Sequence, residues 1–144
     1  MNVRKARKKD LGQLIQLLNQ LTQDESPSVD YGRAYDEITN YPNYHMFVLE
    51  DGNELVATVA LVIMPGLAHG ARHWAMIENV IVDEKHRRKG YGRKLIEHAI
   101  EVAKGFNCHK IVLISKFFRK EAHQFYESVG FEKEAYGFGY AKDL

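Results

Sequence analysis

The run whose residue types and spacing most clearly suggest a binding function is Arg87-Arg88-Lys89-Gly90-Tyr91-Gly92. It follows a predicted apolar strand and begins a predicted helix. The first turn of a helix has unpaired N–H groups and a partial positive charge, so it can bind a phosphate group. Glycines let the backbone approach such an anion, and the cationic side chains add attraction. A solvated turn before a helix cap is the alternative interpretation. The run completes neither a Walker loop nor a Rossmann fingerprint.

Hydrophobic periodicity predicts the N-terminal elements that support this run. Asp10 is the predicted N-cap of the first helix, whose apolar residues recur at spacings of three and four. Asp51-Gly52 is a turn signal between two apolar strands. The predicted elements are an edge strand over 2–7, a helix from Asp10, a loop over 23–30, a helix over 31–41, and strands over 44–50 and 54–64.

The C-terminal half predicts a loop over 65–73, a strand over 74–82, a charged loop over 83–89, a helix over 90–104, a strand over 110–115, a helix over 119–129, and a final strand or hairpin from Phe131. Gly105 and Gly130 are the expected helix ends. The continuous apolarity of 110–115 predicts a strand buried on both faces. Strand, helix and strand between 74 and 115 predict a parallel pair with a right-handed crossover. Together with the early hairpin, this predicts one α/β domain over 1–144 with a mixed sheet.

Two blocks carry a family resemblance. Arg87-x-x-Gly90-x-Gly92 resembles the R/Q-x-x-G-x-G/A acetyl-CoA signature of the GNAT family of N-acetyltransferases, and 122–131 resembles the family's later A-x-x-F-Y-x-x-x-G-F motif. The blocks occur in the family's order, and the resemblance extends over the N-terminal helices and hairpin. It implies the GNAT-type fold: a mixed, mostly antiparallel sheet with a central splayed parallel strand pair, flanked by helices.

The resemblance also implies where acetyl-CoA binds. Its pyrophosphate is expected on the backbone of 87–92, and its pantetheine arm beside the strand over 74–82, where two parallel strands separate. Many relatives have an Asn shortly before the second block, whereas this chain has Lys116-Phe117-Phe118-Arg119, so Ser115 or a main-chain group is the expected substitute. The residues expected to contact CoA are Val80, Ile81, Val82, Arg87, Arg88, Lys89, Gly90, Tyr91, Gly92, Arg93, Ser115, Phe125 and Tyr126.

Aminolysis of a thioester needs a deprotonated amine, a stabilised carbonyl oxygen and a proton for the departing thiolate. The resemblance implies that Tyr126 donates this proton, because Tyr126 matches the tyrosine that many relatives direct at the thioester sulfur. Core packing against Phe125 is the alternative role. A backbone N–H, such as that of Val82, is the oxyanion donor implied by the family.

Glu78 is the predicted catalytic base. Strict alternation along its strand places Glu78 on the face of Val80 and Val82, and burial among apolar residues would make the carboxylate a stronger base. The segment 77–80 resembles the corresponding strand of glucosamine-6-phosphate N-acetyltransferases in the family. A substrate anchor, a structural ion pair with Arg72 or Arg93, and a reaction without a dedicated base are the alternatives.

A small amine is the predicted acceptor, because only the short segments 23–44 and 65–74 are left to form its site. These segments carry the aromatic residues Tyr31, Tyr35, Tyr41, Tyr44 and Trp74. Their acidic residues Asp30, Asp36 and Glu37 would attract an ammonium, and Arg33, His69, Arg72 and His73 an anionic group, unless this is simply a solvated face. Acetylation of a protein lysine or N-terminus and a non-catalytic CoA sensor are the alternative functions.

Composition narrows the function class. Lys and Arg total 20 against 19 Asp and Glu, a net charge of +1 that argues against general nucleic-acid or membrane-surface binding. The single cysteine, Cys108, excludes an internal disulfide, and the histidines lack metal-ligand spacing, so no metal is predicted. No apolar run is long enough to span a bilayer, so a cytoplasmic protein is expected. The family resemblance adds a homodimer as a weak expectation.

Overall fold

The computed structural model describes residues 1–23, 28–135, 137 and 138 of the 144-residue chain. It contains two compact units, Met1–Leu113 and Ile114–Leu144. The expectation of one domain over 1–144 stays a prediction.

The first unit contains most of the predicted elements. Two short 3₁₀ helices span Lys8–Asp10 and Glu84–His86. The strands and helices are β1 (Asn2–Lys5), α1 (Leu11–Thr22), α2 (Tyr31–Thr39), β2 (Tyr44–Asp51), β3 (Glu54–Met64), the single turn α3 (Ala68–Ala71), β4 (Trp74–Val82), α4 (Tyr91–Gly105) and β5 (Ile111–Leu113).

The five strands form one sheet in the order β1-β2-β3-β4-β5. The first three pairings are antiparallel and β4 pairs with β5 in parallel, which confirms the predicted mixed α/β fold. Among the described residues, β5 lies at one end of this order rather than at its centre. Its three residues are half-buried, so the prediction of a strand buried on both faces is wrong.

Helices cover both faces of the sheet. On one face, α1 packs Leu14 and Leu17 against Val48 of β2 and Ile81 of β4 in one buried cluster. On the other face, α4 buries Leu95, Ile96, Ala99 and Ala103, and the His98 ring meets the Phe47 ring edge-on with centroids 4.7 Å apart. Each fully buried Leu or Ile contributes about 1.5–3 kcal/mol to folding. The packing of α1 and α4 on the two faces thus fixes the position of β4, from which the loop 83–90 leaves the sheet.

The helix ends predicted at Asp10 and Gly105 differ in detail from the structure. Asp10 occupies the N-cap position of α1, as predicted. The Asp10 side chain does not cap α1: it accepts hydrogen bonds of 2.7 and 3.0 Å from the Arg4 guanidinium and one of 2.7 Å from the Arg7 N–H. A charge-assisted bidentate pair is stronger than a neutral cap, so the long-range partner prevails. Gly105 lies within α4, and the left-handed residue that follows the helix is Asn107, at φ 55°.

The second unit contains α5 (Lys120–Ser128). Gly130 has φ 101° and reverses the chain as predicted, and the Phe131 N–H donates to the Tyr126 carbonyl over 3.1 Å. Residues 131–135, 137 and 138 do not form the final strand expected from Phe131. The rest of that prediction lies outside the described residues.

Candidate functional site

The loop from β4 to α4 has the backbone of an anion-binding turn. Arg88 and Gly90 both adopt left-handed conformations, with φ of 63° and 77°. Gly90 is the N-cap of α4 and brings no side chain to cap it, and a Cβ at this position would meet no atom within 4 Å. Because no side chain caps α4, an anion is a suitable acceptor for the N–H groups of its first turn.

Hydrogen bonds from α1 hold the start of this loop. Asp83 accepts from Gln20 Nε2 over 2.8 Å and from the Lys85 N–H over 2.9 Å, and lies 3.0 Å from His86 Nδ1. The Gln20 amide oxygen accepts in return from the Glu84 N–H over 3.2 Å. The hydrogen bond from Gln20, followed by that from His86, lowers the pKa of Asp83. The carboxylate thus stays charged and keeps the loop ordered.

Tyr91 holds the other end of the loop. Its side chain is buried, and its hydroxyl donates to Asp51 Oδ2 over 2.7 Å. This hydrogen bond raises the pKa of Tyr91. The Tyr91 side chain is thus committed to the hairpin turn, and only its backbone is left for the predicted contact with CoA.

The predicted cations surround this turn. Arg87, Arg88 and Lys89 are exposed, and Arg87 Nε donates to the Val82 carbonyl over 3.3 Å. Arg93, also exposed, lies 3.7 Å from Glu97 on the next turn of α4. The exposed guanidinium and ammonium groups add positive potential next to the helix N-terminus, as an anionic ligand requires.

A β-bulge interrupts β4 directly after Glu78, the predicted catalytic base. Ala60 of β3 pairs with Glu78 but Thr58 pairs with Ile81, so Asn79 and Val80 together oppose Val59, and Asn79 has φ 52°. The prediction that Glu78 shares a face with Val82 is therefore wrong: Glu78 shares its face with Ile81, and Val82 points to the opposite face.

Beyond Ile77, β4 runs through Val82 without a paired strand on the β5 side in the described part of the chain, since β5 pairs only with Ala75–Ile77. Val80 and Val82 are half-buried along this stretch. The Ile81 side chain is buried in the α1 cluster, so only its backbone can contribute to the predicted CoA site. The bulge and the unpaired edge leave backbone groups and apolar surface open to an extended ligand.

Glu78 is exposed rather than buried. The two arginines considered as its ion-pair partners are engaged elsewhere: Arg72 donates to the Cys108 carbonyl over 3.1 Å, and Arg93 lies near Glu97. Burial raises the pKa of Tyr44, and the negative charge of Glu78 raises it further. Glu78 is thus a solvent-accessible carboxylate close to a half-buried phenol, able to attract a cation or to accept a proton.

In the second unit, Tyr126 is half-buried between aromatic rings. Its ring centroid lies 5.3 Å from that of Phe125 and 6.2 Å from that of Phe131. Burial raises the pKa of Tyr126, so its hydroxyl stays protonated at neutral pH. Ser115 also belongs to this unit and is half-buried. A protonated, partly enclosed phenol can serve as a proton donor.

The charges predicted to attract an acceptor amine have structural partners. Asp36 pairs with Lys8 at 2.6 Å, Glu37 pairs with Arg33 at 3.1 Å, and Asp30 caps α2 by accepting from the Arg33 N–H. Tyr35 donates to the Ala6 carbonyl over 2.9 Å. These contacts favour the alternative of a solvated charged face around α2. Of the aromatic residues predicted there, Tyr44 is the one with an electrostatic link to Glu78.

Sequence reasoning missed the bulge and the two anchors of the loop. Asn in the middle of an apolar strand was the available signal for the bulge, because Asn tolerates left-handed backbone better than other non-glycine residues. Gln20 and Asp51 are far from the loop in sequence and carried no local signal. Among the described residues, no group of three or more His, Cys, Asp or Glu side chains is placed to hold a metal, and no helix is long and apolar enough to cross a membrane.

Comparison with known proteins places this geometry among acetyltransferases. The sequence profile of the acetyltransferase (GNAT) family matches residues 13–131. A solved structure from Agrobacterium tumefaciens strain C58, provisionally described as an acetyltransferase, is 35% identical, with a TM-score of 0.94 over 99% of this chain and 100% of that chain. A Bacillus halodurans C-125 structure described as a transcriptional regulator is 30% identical, with a TM-score of 0.91 over 98% of this chain and 99% of that one.

A functionally specific name occurs among the relatives. Glucosamine 6-phosphate N-acetyltransferase of Arabidopsis thaliana is 28% identical over 125 residues, which are 84% of this chain and 82% of that protein. A solved structure of the same name and species has a TM-score of 0.88 at 26% identity, over 99% of this chain and 98% of that chain. The range matched by the family profile contains both the loop 87–92 and the block 122–131.

Proposed function

The chain belongs to the acetyltransferase (GNAT) family and is an N-acetyltransferase, and from this premise we propose that it transfers the acetyl group of acetyl-CoA to the primary amine of a small molecule. The observation that supports CoA binding most directly is the backbone at the start of α4. There Arg88 and Gly90 turn left-handed and α4 begins without a side-chain cap.

The donor set of this turn fits a pyrophosphate. Its oxygens would accept hydrogen bonds from the N–H groups of the first turn of α4, and Arg87, Arg88 and Lys89 would balance its charge. The Asp83–Gln20 and Tyr91–Asp51 hydrogen bonds fix the loop before ligand arrives. Such preorganisation lowers the ordering cost of binding.

The unpaired stretch of β4 after Ile77 is suited to the pantetheine arm. Val80 and Val82 offer apolar surface, and backbone N–H groups freed by the bulge would bond the amides of the arm and the thioester oxygen. A backbone N–H aimed at the carbonyl oxygen would stabilise the negative charge that develops during attack. This role falls to the segment 79–82, which includes the predicted donor Val82.

In the proposed reaction, Glu78 attracts the ammonium form of the acceptor and takes up one proton, directly or through water. The amine nitrogen then attacks the thioester carbon, and the C–S bond breaks as the Tyr126 hydroxyl gives its proton to the departing sulfur, so that CoA leaves as the thiol. The second N–H proton of the attacking nitrogen passes to solvent, from which Tyr126 is reprotonated. The exposure of Glu78 and the protonated state of Tyr126 suit these two roles.

A compact amine is the proposed acceptor. The name of the Arabidopsis relative states that its acceptor is glucosamine 6-phosphate, an amine that also carries a phosphate. Amino-sugar phosphates are therefore the first compounds to test on this chain. The CoA-sensor alternative retains one specific point in its favour, namely the relative described as a transcriptional regulator.

Turnover on an acceptor panel tests the proposal. CoA release from acetyl-CoA would be measured with glucosamine 6-phosphate, other amino sugars, polyamines, amino acids and lysine peptides. The proposal expects the highest kcat/KM on a small amine. A kcat/KM for a lysine peptide well above that of every small amine would indicate a protein acetyltransferase. CoA binding without turnover of any amine would support a sensor.

A further inference from the structure

A pocket lies where the connection between β3 and β4 meets the connection between α4 and β5. Its volume is about 210 Å³, and its lining combines the backbone segment 66–68 with His69, Arg72, Trp74, His109 and Lys110. Four of these side chains are basic and none of the lining residues is acidic. An anion entering this pocket would meet attraction from several sides without a competing carboxylate in the lining.

The basic groups converge because hydrogen bonds and a ring contact join the two connections. Arg72 donates to the Cys108 carbonyl over 3.1 Å, and the His109 N–H donates to the His73 carbonyl over 2.8 Å. The His69 and His109 rings stack with their centroids 4.0 Å apart. Lys110 Nζ lies 5.6 Å from the centroid of the Trp74 ring, which holds its ammonium at the pocket wall.

The backbone of this connection is strained. His69, Gly70 and Ala71 are consecutive left-handed residues, with φ of 53°, 71° and 57°, and two of them are not glycine. Such conformations persist only where the surrounding structure imposes them, and they concentrate at ligand sites. In this chain the strained turn carries the His69 ring that stacks on His109.

The electrostatics of His109 agree with this arrangement. Burial lowers the pKa of His109, and the positive charges of His69, Lys110 and Arg72 lower it further. Basic groups from both connections therefore act on one ring. A bound anion would reverse this effect by favouring the protonated ring.

We propose that this pocket binds a compact oxyanion, a phosphate or carboxylate group, through Arg72, Lys110 and the stacked His69–His109 pair. The site is distinct from the proposed CoA loop, because Trp74 begins β4 and Val82 ends it, about 26 Å apart at the ordinary rise of a strand. The oxyanion is either a free ion or the anionic group of an acceptor whose amine reaches Glu78, about 13 Å away along the same strand.

Titration with inorganic phosphate tests the pocket directly. The full chain, with and without saturating CoA, would be titrated while the ring signals of His69, His109 and His86 are followed by NMR, with His86 reporting separately on the CoA loop. We expect saturable shifts at His69 and His109 in both conditions, together with a rise in the pKa of His109. The CoA-free titration measures phosphate binding in the pocket without any dependence on acetyl transfer. Failure of the pocket would therefore appear as missing shifts at His69 and His109, and failure of the proposed function as missing turnover.

Variants decide whether the shifts come from this pocket. Lys110→Gln and Arg72→Gln should each weaken phosphate binding at least tenfold, whereas Lys9→Gln, at an exposed lysine outside the pocket, should leave it unchanged. Lys110→Gln keeps the test valid if loss of the Arg72 hydrogen bonds disturbs folding. Shifts that do not saturate, or that saturate equally in all variants, would overturn the proposal.

Kinetics distinguish the two sources of the anion. Phosphate inhibition that competes with the acceptor amine assigns the pocket to the acceptor's own anionic group, and inhibition that does not compete assigns it to a separate ion. In either case the inhibition must weaken in Lys110→Gln. Inhibition that is equal in wild type and Lys110→Gln would contradict the site.

Discussion

The hydroxyl of Tyr91 donates a 2.7 Å hydrogen bond to Asp51 Oδ2, which joins the first turn of α4 to the turn between β2 and β3. The two residues are 40 positions apart in the chain. Tyr91 lies inside the glycine-rich run, yet its side chain points to the hairpin rather than to a ligand. The turn proposed to bind phosphate is therefore positioned by the sheet at one end and by Gln20 of α1 at the other.

Loss of the Tyr91 hydroxyl should weaken CoA binding without abolishing it. Tyr91→Phe retains the buried ring but removes the hydrogen bond, so one of the two anchors of the loop is lost and more of its ordering has to accompany ligand binding. We expect the Kd for CoA to rise about three- to tenfold, with kcat nearly unchanged, as measured by calorimetry and steady-state kinetics.

Tyr35→Phe is the matched control, because it also removes one phenolic hydrogen bond, the one to the Ala6 carbonyl. It should reduce stability while leaving the affinity for CoA intact. Equal CoA affinity in wild type and a folded Tyr91→Phe would show that the Asp51 contact does not position the loop.

Removal of the Tyr126 hydroxyl tests the proposed proton donor. Tyr126→Phe should lower kcat by about 10²–10⁴ with little change in KM for acetyl-CoA, because the ring and its contacts with Phe125 and Phe131 remain. Tyr41→Phe, which removes a phenolic hydroxyl from a side chain that is 69% exposed, should not show this loss of kcat, whatever its effect on the KM for the amine. A Tyr126→Phe enzyme at full speed would leave Tyr126 with a packing role only.

Neutralising Glu78 separates a base from a substrate anchor. If Glu78 takes the proton of the amine, Glu78→Gln should lower kcat and flatten the ascending acidic limb of the pH–rate profile. A raised KM for the amine with an unchanged profile would instead assign Glu78 to substrate binding. Unchanged kinetics throughout would exclude both roles.

Much of the fold could be predicted from local sequence signals. The predictions that were wrong concern features that depend on contacts between distant parts of the chain. The hairpin around Gly52 and the parallel crossover were predicted from periodicity and turn residues. The bulge at Asn79 was missed because alternation was assumed to continue, and a single inserted residue reverses every later side chain of a strand. Asp10 carries a good capping signal, but Arg4 offers its carboxylate a stronger partner.

The candidate site shows the same division. The glycine-rich run and its cations could be predicted, since their chemistry is local to six residues. The exposure of Glu78 and the Tyr91–Asp51 contact could not, because both depend on packing between distant segments.

Acid sensitivity is expected from His45. Its ring is buried against Phe47 and Phe106, and within the part of the chain that the structure describes neither ring nitrogen has a hydrogen-bond partner. Burial lowers the pKa of His45 below its ordinary value of 6.5. The unfolded chain therefore binds this proton first, and stability should fall as pH drops below 6.5, until the pH reaches the lower pKa of the folded state.

His45→Phe should remove this part of the pH dependence, because an aromatic ring without a titratable group takes its place. Urea unfolding between pH 7.5 and 5 would measure it in both proteins. Parallel stability curves for wild type and His45→Phe would contradict the assignment to His45.

CoA is proposed to bind with its pyrophosphate on the backbone of 87–92, and calorimetric titration of CoA into Gly92→Asp is the decisive test. Gly92 is buried in the first turn of α4, where a carboxylate would oppose the phosphate in both space and charge. Gly105→Asp, at the exposed far end of the same helix, is the matched control, and circular dichroism would verify that both variants fold. We expect the Kd for CoA to rise at least tenfold in Gly92→Asp alone, which corresponds to a loss of about 1.4 kcal/mol in binding free energy. Wild-type affinity in a folded Gly92→Asp would contradict this placement of CoA.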